Sequence, residues 1–421
     1  MYHSQKMVLK MNPTLRKTSS GKNFSDLLQE NRSLVVKKMM RKKQCSRSDL
    51  AQMTGLTQAA ITKIVSGLME MGIVEEIGIE KGGRGRSKIM LTLNGDKLRI
   101  IGVKLARTSF SIAVFDITGK IYTKHYCMIS RNQKPQQVID EILSKIHEYL
   151  EQYENIFAVG AAVPGPYLRH EGRISQMTEF AGWENFNITE ALGHNIPIPV
   201  FVEHDANAGA LAEWWFGEES PNSLVFLLAS EGIGAGIINQ EGKLLLGFDG
   251  VAGEIGHMSI DLNGRQCHCA PNRRGCLEQY CSSLSFERDV LSELPMHPES
   301  SLYIHLQENK LTALDVFMAA EAGDIFAQHM VDRVAYYLGT GVANIVSIYN
   351  PQTIILSDIM ALGGERLLNG VCKVAKEQVF PALYDRLIIR FSHLFCDPIL
   401  LGAMTTAANR FLDNPAALIH N

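Results

Sequence analysis

Two stretches of this 421-residue chain resemble each other, and this internal repeat constrains the fold more than any other feature of the sequence. Residues 101–122 align without gaps with residues 224–245, and Gly119-Lys120 in the first copy coincides with Gly242-Lys243 in the second. Each copy consists of an apolar strand, a turn of small residues, a second strand, a polar turn and the start of a third strand. Chance could produce the shared turns, but the pattern favours a β-hairpin in each copy, as in folds built from two α/β lobes that each begin with a hairpin.

Three cysteines and one histidine lie close together in the second half of the chain and predict a structural zinc site. His257 comes first, Cys267 and Cys269 follow, and Cys276 closes the group. Structural zinc takes four nitrogen or sulfur ligands in a tetrahedron, and two cysteines one residue apart can both reach one ion from a tight loop. Two alternatives stay open: His268 supplies the nitrogen ligand, or the cysteines are buried free thiols. We expect no disulfide, because the sequence shows no secretion signal.

Charge is distributed unevenly along the chain, whose net charge is −3. Residues 1–97 contain 18 Lys and Arg against 8 Asp and Glu, which gives +10, so the remainder carries −13. This asymmetry is typical of a basic module that meets a polyanion, attached to an acidic body. No apolar run reaches the roughly 18 residues that cross a bilayer, and no apolar segment follows the N-terminal lysines. We therefore expect a cytoplasmic protein without membrane insertion.

Residues 24–97 show the pattern of a winged helix-turn-helix DNA-binding domain, and we expect the basic stretch 1–23 before it to be flexible. Ser46 opens the second of three predicted helices with a capping box, and Thr57 caps the third after a break at Gly55. The third helix is the predicted reading helix, whose short or polar outward side chains suit base edges and phosphates in the major groove. These are Thr57, Gln58, Ala59, Thr62 and Lys63.

A predicted β-hairpin, the wing, follows the reading helix and is formed by residues 73–77 and 89–93. The glycine-rich tip between these strands carries four cations, of which Arg84 and Arg86 are the predicted DNA contacts. Arginines on such a tip can enter a minor groove or hold phosphates. A solvated turn is the alternative, but three helices followed by a basic wing favour double-stranded operator DNA as a partner.

The metal motif also resembles that of a known family. Gly253-Glu254-Ile255-Gly256-His257, followed by Cys267-His268-Cys269 and Gly275-Cys276-Leu277-Glu278, is similar to the zinc and sugar segment of the ROK proteins. These are bacterial sugar kinases and sugar-responsive repressors. Ala270 stands where the family has glycine, and the loop after it is two residues longer. The resemblance covers about residues 99 to 410, and the basic N-terminal module resembles the winged helix of ROK repressors, which the kinases lack.

The resemblance implies an actin/hexokinase-like fold, in which two ribonuclease H-like α/β lobes enclose a ligand between them. The first lobe would comprise residues 98–213, with 401–421 returning to it. The second lobe would comprise residues 214–400 and carry the zinc loop. Trp214-Trp215-Phe216 is predicted to be core packing at the boundary between the lobes.

The resemblance further implies a sugar site between the lobes. Asp205 falls on the catalytic base of the kinases, and without ATP its remaining role would be a hydrogen bond to a sugar hydroxyl. Glu179 and His204 stand where the kinases have asparagine, so the pocket would be reshaped. His257 would touch both zinc and sugar. The predicted sugar-binding residues are Asp205, Glu254, His257, Glu278, His204 and Glu179.

The residues at the nucleotide contacts of the family's kinases are replaced in this chain. Lys104-Leu105-Ala106-Arg107-Thr108 stands in place of Asp-x-Gly-Gly-Thr, Ser230-Glu231-Gly232 puts a carboxylate in the second phosphate turn, and Ser357-Asp358 replaces Gly-Gly. A turn that holds phosphates needs glycines and avoids negative charge. Gly363-Gly364 lies nearby as a partial substitute. We nevertheless expect no enzymatic activity.

These observations predict a sugar-responsive transcriptional regulator, a repressor in the first instance, although the sequence leaves the sign of regulation open. It would bind an inverted-repeat operator as a homodimer or homotetramer. One alternative is an active ROK sugar kinase with a DNA-binding appendage. The other is a regulator controlled by a sugar-transport protein.

Overall fold

The computed structural model describes residues 23–81, 87–130, 132–175, 182–218, 221–308 and 310–415. Three units follow one another along the chain: a winged three-helix domain and two α/β lobes. Three residues named above, Glu179, Arg84 and Arg86, lie outside the described residues, as does the N-terminal stretch before Asn23.

The N-terminal unit has the predicted helix-turn-helix arrangement with a wing. Ser46 caps the second helix in a capping box with Asp49, Gly55 ends that helix at a φ of 72°, and Oγ1 of Thr57 accepts a hydrogen bond from the backbone N–H of Ala60 at 3.2 Å. The strand order is β1-β3-β2, with both pairs antiparallel. The elements are α1 Phe24–Lys42, β1 Cys45–Ser46, α2 Arg47–Thr54, α3 Gln58–Glu70, β2 Val74–Lys81 and β3 Ser87–Leu93.

The first lobe contains a five-stranded sheet of order β10-β7-β4-β5-β6. The strands β4, β5 and β6 form antiparallel pairs, whereas β7 and β10 run parallel to β4, so the carboxyl ends of β7 and β10 meet at one edge of the lobe. The elements are β4 Arg99–Leu105, β5 Ser109–Asp116, β6 Ile121–Met128, α4 Pro135–Gln152, β7 Ile156–Val163, β8 Tyr167–Leu168, β9 Arg173–Ile174, α5 Ile188–Gly193, β10 Val200–His204 and α6 Asp205–Phe216.

The second lobe contains a four-stranded sheet of order β12-β11-β13-β14, in which only the β11–β12 hairpin is antiparallel. The elements are β11 Leu224–Ala229, β12 Ile233–Ile238, α7 Glu278–Cys281, α8 Ser283–Glu293, α9 His305–Glu308, α10 Ala313–Glu321, α11 Ile325–Tyr349, β13 Thr353–Ser357, α12 Gly364–Gln378, α13 Pro381–Tyr384 and β14 Ile388–Phe391. The last helix, α14 Pro398–Asp413, returns to the first lobe.

The internal repeat is present as two hairpins, but the predicted third strand of the second copy is wrong. Only one bridge, between Ile238 and Leu244, remains of it. The side chain of Asn239 accepts the backbone N–H of Glu241 and of Lys243, at 3.1 and 3.0 Å, and closes a tight turn. The chain then leaves the sheet toward the metal loop, so no third strand forms.

The helices α6 and α14 pack against each other at the seam between the lobes. Helix α6 lies on β11 and β12 of the second lobe, where a Cβ on Gly236 would be 2.1 Å from the carbonyl oxygen of Ala206. Helix α14 lies on β4 and β7 of the first lobe, where a Cβ on Gly160 would be 1.8 Å from the carbonyl oxygen of Ala403. Glycine at these two strand positions lets each helix approach its own sheet closely.

The core of the winged domain continues into the body. Val36 and Met39 of α1 belong to one buried apolar cluster with Trp214 and with Phe411 of α14. The winged domain is therefore docked on the body by apolar burial. Across the described ranges, no helix combines the length and apolar composition needed to cross a membrane.

Candidate functional site

Asp205 lies at the mouth of the cleft between the lobes, as the first residue of α6 directly after β10. Its Oδ1 is 3.0 Å from Nε2 of His204, and its side chain is 16% exposed. The His204 ring is buried and lies so close to Gly165 that a Cβ there would be 2.2 Å from Nε2. The imidazole that replaces the kinases' asparagine therefore lies directly against the carboxylate predicted to meet the sugar.

The surroundings of His204 favour its protonated form. Burial opposes this charge, but Asp205, Glu254 and Glu203 surround the ring and together raise the pKa of His204 to about 9. Glu203 is itself buried and paired with Arg169. The first lobe thus presents a carboxylate acceptor with an imidazolium donor beside it, two groups that complement sugar hydroxyls.

Glu254 enters the cleft from the second lobe. It follows Gly253, whose carbonyl accepts the N–H of Ala235 in β12 at 2.8 Å, and a Cβ on Gly253 would lie 1.9 Å from the carbonyl oxygen of Ala235. Burial raises the pKa of Glu254, and this rise is opposed by His204 and His257. The carboxylates of Asp205 and Glu278 are also within electrostatic range and raise the pKa of Glu254 further. The structure brings these predicted sugar residues together from both lobes.

Glu278, the first residue of α7, faces the hairpin turn of the second lobe. Its Oε2 accepts the backbone N–H of Ile233 at 3.1 Å. A Cβ on Gly232 would lie 3.0 Å from this oxygen and 3.3 Å from a guanidinium nitrogen of Arg107 in the first lobe. The sugar end of the cleft therefore adjoins the two hairpin turns at which the family's kinases hold phosphates.

Ion pairs occupy the end of the cleft where a nucleotide would bind. Nε of Arg107, in the β4–β5 turn, is 3.5 Å from Oε2 of Glu231 in the β11–β12 turn. Nζ of Lys104 is 2.7 Å from Oδ2 of Asp397, the N-cap of α14. Arg107 and Glu231, which both depart from the kinase pattern, thus pair with each other, and Lys104 pairs with the N-cap of α14.

Lys104 is surrounded by carboxylates from both lobes. Burial opposes its charge, but Asp397, Asp358 and Asp205 outweigh burial and raise the pKa of Lys104. Asp358 follows β13 with φ 67° and ψ −147°, a conformation that favours glycine, the residue type that it replaces. Burial raises the pKa of Asp358, and the charge of Lys104 opposes that rise. Ser230 also donates a hydrogen bond to Asp358 at 3.3 Å.

The predicted metal ligands converge in the second lobe. One nitrogen of His257 and the sulfurs of Cys267, Cys269 and Cys276 all lie within 4.8 Å of one another. Nδ1 of His257 is 3.8 Å from Sγ of Cys267, and the sulfurs of Cys269 and Cys276 are 3.9 Å apart. Tetrahedral zinc with Zn–S bonds of about 2.3 Å needs sulfurs about 3.8 Å apart, so these four residues fit the ion. The alternative ligand His268 is exposed and outside this group.

The longer loop is closed by a short hairpin that encloses two of the ligands. Gln266 and Arg274 form an antiparallel bridge around Cys267 and Cys269, and a guanidinium nitrogen of Arg273 donates to the carbonyl oxygen of His257 at 2.5 Å. These contacts tie the loop to the segment that carries the histidine.

The predicted reading residues share one exposed face at the beginning of α3. All five are exposed, whereas Ile61, Ile64, Val65 and Leu68 on the opposite face are buried. Ser66 extends the exposed face by one turn and was not predicted. The wing is tied to α2 because Nζ of Lys88 is 2.9 Å from Oδ1 of Asp49. Backbone N–H donation at Ser46 and the Lys88 ammonium lower the pKa of Asp49 to about 2.

Sequence profiles identify both parts of the chain. Residues 100–409 match the ROK family, and residues 35–77 match the Cro/C1-type HTH DNA-binding domain. The chain belongs to the ROK family. The predicted family and the predicted two-lobed fold with an N-terminal helix-turn-helix are thereby confirmed for this ROK protein.

Several known proteins are similar to most of this chain. The xylose repressor of Bacillus spizizenii is 29% identical over 388 residues, which cover 91% of this chain and 96% of that protein. The DNA-binding transcriptional dual regulator NagC of Escherichia coli K12 is 28% identical over 355 residues, or 83% of this chain and 85% of NagC. A solved ROK family transcriptional regulator, a homologue of the E. coli MLC protein, superposes with a TM-score of 0.77 at 26% identity over 92% of this chain and 97% of its own. This ROK protein is therefore a transcription regulator and not an enzyme, as predicted.

Proposed function

We propose that this protein represses genes of sugar uptake or metabolism, and that a sugar bound between the lobes changes its affinity for operator DNA. One observation carries the proposal: the chain that presents an exposed reading helix also groups Asp205, Glu254 and Glu278 in its cleft, while ion pairs fill the nucleotide end. The relatives named as a xylose repressor and as NagC support regulation by a sugar.

The cleft is suited to an effector that bridges the lobes. Asp205 and His204 come from the first lobe, and Glu254 and Glu278 come from the second, so a sugar that bonds to both sides favours a closed arrangement. Such a ligand alters DNA affinity only to the extent that it prefers one arrangement over the other. Two copies of the chain would place two reading helices on an inverted-repeat operator.

His257, Cys267, Cys269 and Cys276 would hold one structural zinc ion. The ion would fix the loop that leads into Glu278, the residue that bonds to the β11–β12 turn. His257 is also within electrostatic range of Glu254. This histidine would therefore link the metal loop to the sugar side of the cleft.

The test is fluorescence anisotropy on DNA from upstream of the protein's own gene and of neighbouring sugar genes, at one salt concentration. D-xylose, D-glucose and N-acetyl-D-glucosamine serve as probes. We expect sequence-specific binding that one sugar weakens, and Asp205→Asn should keep DNA binding but lose the sugar response. Specific binding that none of these sugars changes in the wild type would favour control by a transport protein, and ATP-dependent phosphorylation of any of them would contradict the proposal.

A further inference from the structure

One end of the contact between the winged domain and the body is made by α14. Oγ of Ser33, on α1, donates to the carbonyl oxygen of Leu412 at 2.7 Å. One turn later, Nζ of Lys37 is 2.5 Å from Oδ1 of Asp413. Both partners lie at the C-terminal end of α14, the helix that rests on the sheet of the first lobe.

The other end of the contact is made by α6. The guanidinium of Arg41, one turn beyond Lys37, lies 4.1 Å from the ring centroid of Trp214 and 5.7 Å from that of Trp215. It also donates to the carbonyl oxygen of Trp214 at 3.4 Å. Burial lowers the pKa of Arg41, whose side chain is half-buried in this contact, and partial removal of water strengthens a cation–π contact.

The ring of Trp214 also contacts the second lobe. A Cβ on Gly242, in the turn after β12, would lie 2.8 Å from this ring, whereas Nε1 of the neighbouring Trp215 donates to Oδ1 of Asn409 in α14 at 3.3 Å. Helix α1 is thus held at Ser33 and Lys37 by α14 and at Arg41 by α6, whose Trp214 rests on the hairpin of the second lobe.

The two helices that hold α1 both begin in the cleft. Asp205 is the first residue of α6, and Asp397, which binds Lys104, caps α14. Because α6 rests on the sheet of the second lobe and α14 on that of the first, a rotation of one lobe against the other would shear these two packed helices and shift their far ends, about one helix length away from the ligand. Helix α1 spans those two ends.

We propose that Arg41 is the positioning residue through which the angle between the lobes sets the orientation of the reading helix. This inference rests on the proposed function, since it explains how a sugar in the cleft reaches the DNA. When the lobes rotate, Arg41 follows Trp214 while Ser33 and Lys37 stay with α14, so α1 tilts. Because α1 shares its buried core with α3, the reading helix tilts with it.

The test is a double-mutant cycle on operator affinity that needs no sugar. Lys104→Met removes the ion pair in the cleft and should change operator affinity at least about threefold, although Lys104 lies in the body. In the Arg41→Met background the same substitution should change the affinity less than about 1.5-fold, because the connection is already broken. Lys42→Met removes the same charge from an exposed position on α1 and is the matched control, in whose background the effect of Lys104→Met should persist.

Additive effects of Lys104→Met and Arg41→Met in folded proteins would overturn the inference, even if a sugar still relieves DNA binding and the proposed function stands. A non-additive cycle without any sugar response would leave the inference standing and contradict the proposed effector. If Lys104→Met does not fold, Arg107→Met, which breaks the pair with Glu231, takes its place in the cycle. Where a sugar does act on the wild type, Arg41→Met should reduce its effect on operator affinity at least about fivefold, and an undiminished effect would contradict the inference.

Discussion

The imidazole of His204 makes the stability of this protein depend on pH in a range where carboxylates do not titrate. Its pKa in the folded protein is about 9, above the value of about 6.5 for an unfolded histidine. A group with a raised pKa stabilises the fold fully below its unfolded pKa, and this contribution is lost as the pH rises through the folded pKa. The stabilising contribution of His204 is therefore lost between roughly pH 6.5 and pH 9.

His204→Asn, which introduces the residue of the kinases, should remove this dependence. We expect the wild type to lose about 3 kcal/mol of unfolding free energy relative to His204→Asn between pH 6 and pH 9.5, since one pKa unit corresponds to about 1.4 kcal/mol. Urea unfolding of both proteins at pH 6, 7.5 and 9.5 measures this difference in unfolding free energy. His194→Asn, at an exposed position beside Glu190, is the control whose difference from the wild type should not change in this way. A difference for His204→Asn that is independent of pH would show that folding does not change the pKa of His204, and one of opposite sign would show that the ring is neutral in the fold.

Residue positions carried by local motifs could be predicted from the sequence. Asp205, Glu254 and the metal ligands each belong to a short string of residues that repeats a family pattern, and the structure brings them together. The partners of Lys104 could not be predicted in this way, because Asp397 lies 293 residues away and no spacing rule joins them. Glu179, Arg84 and Arg86 stay predictions.

Among the elements, the reading helix gives the most direct test. Gln58→Ala should cost about 1–3 kcal/mol of specific operator binding if its amide contacts a base edge. Lys63→Ala should weaken binding to all DNA and reduce the dependence of log K on log salt by about one. Anisotropy titrations at several salt concentrations separate the two effects. Lys145→Ala, on α4 of the body, is the control, and equal behaviour of all three variants would place the reading surface elsewhere.

The metal content of the protein tests the predicted zinc site. We expect about one zinc ion per chain by elemental analysis, and Cys276→Ser should lose it, because a hydroxyl replaces a thiolate ligand in a four-ligand set. Cys372→Ser changes a free cysteine on α12, outside the ligand group, and should keep the ion. A folded wild type without metal, or Cys276→Ser with the metal still bound, would contradict the zinc site.

Helices whose ends are marked by cap residues or glycine could be predicted from the sequence, whereas elements without such residues at their ends could not. The cap residues Ser46 and Thr57 and the break at Gly55 mark α2 and α3 in the sequence. The third strand of the second repeat is reduced to one bridge, although Asn239 closes the same turn that Asp116 closes before β6 in the first copy. The turn residues therefore do not explain why a full third strand forms in one copy and not in the other.

At the scale of the whole molecule, the two lobes are joined by ions where related kinases would bind a nucleotide. Lys104→Met should lower the free energy of unfolding by about 2–4 kcal/mol, because it leaves three neighbouring carboxylates without their cation. Lys104 lowers the pKa of Asp397 despite burial, and the pKa of Lys104 is itself raised. The ion pair therefore stabilises the folded protein from roughly pH 4 to pH 10.5.

In urea unfolding, Lys104→Met should therefore lower the free energy of unfolding by the same amount at pH 7 and at pH 9. The contribution of His204, in contrast, should decrease between these two pH values. Lys145→Met, which breaks an exposed pair with Glu148, should leave the stability nearly unchanged. A deficit as small as that of the control would show that the lobes do not depend on the ion pair.

The family resemblance predicted the lobes and the winged domain, but not how they dock. Ser33, Lys37 and Arg41 follow no motif, and the sequence alone gives them only the character of a helix surface. Trp214 and Trp215 were predicted as core, and they are buried, but they also form the surface on which Arg41 lies. Docking depends on which faces remain free after each unit has folded, and a single sequence does not report that.

The hydrogen bond from Ser33 to Leu412 joins residues 379 positions apart. Synthesis proceeds at about 5–20 residues per second, so Ser33 is made roughly 20 to 75 seconds before Leu412. Until then α1 lacks its contacts with α14, although Trp214, the partner of Arg41, is already made. A prematurely terminated chain would carry DNA-reading residues without the end of α14, and hence without the attachment that places them under the control of the cleft.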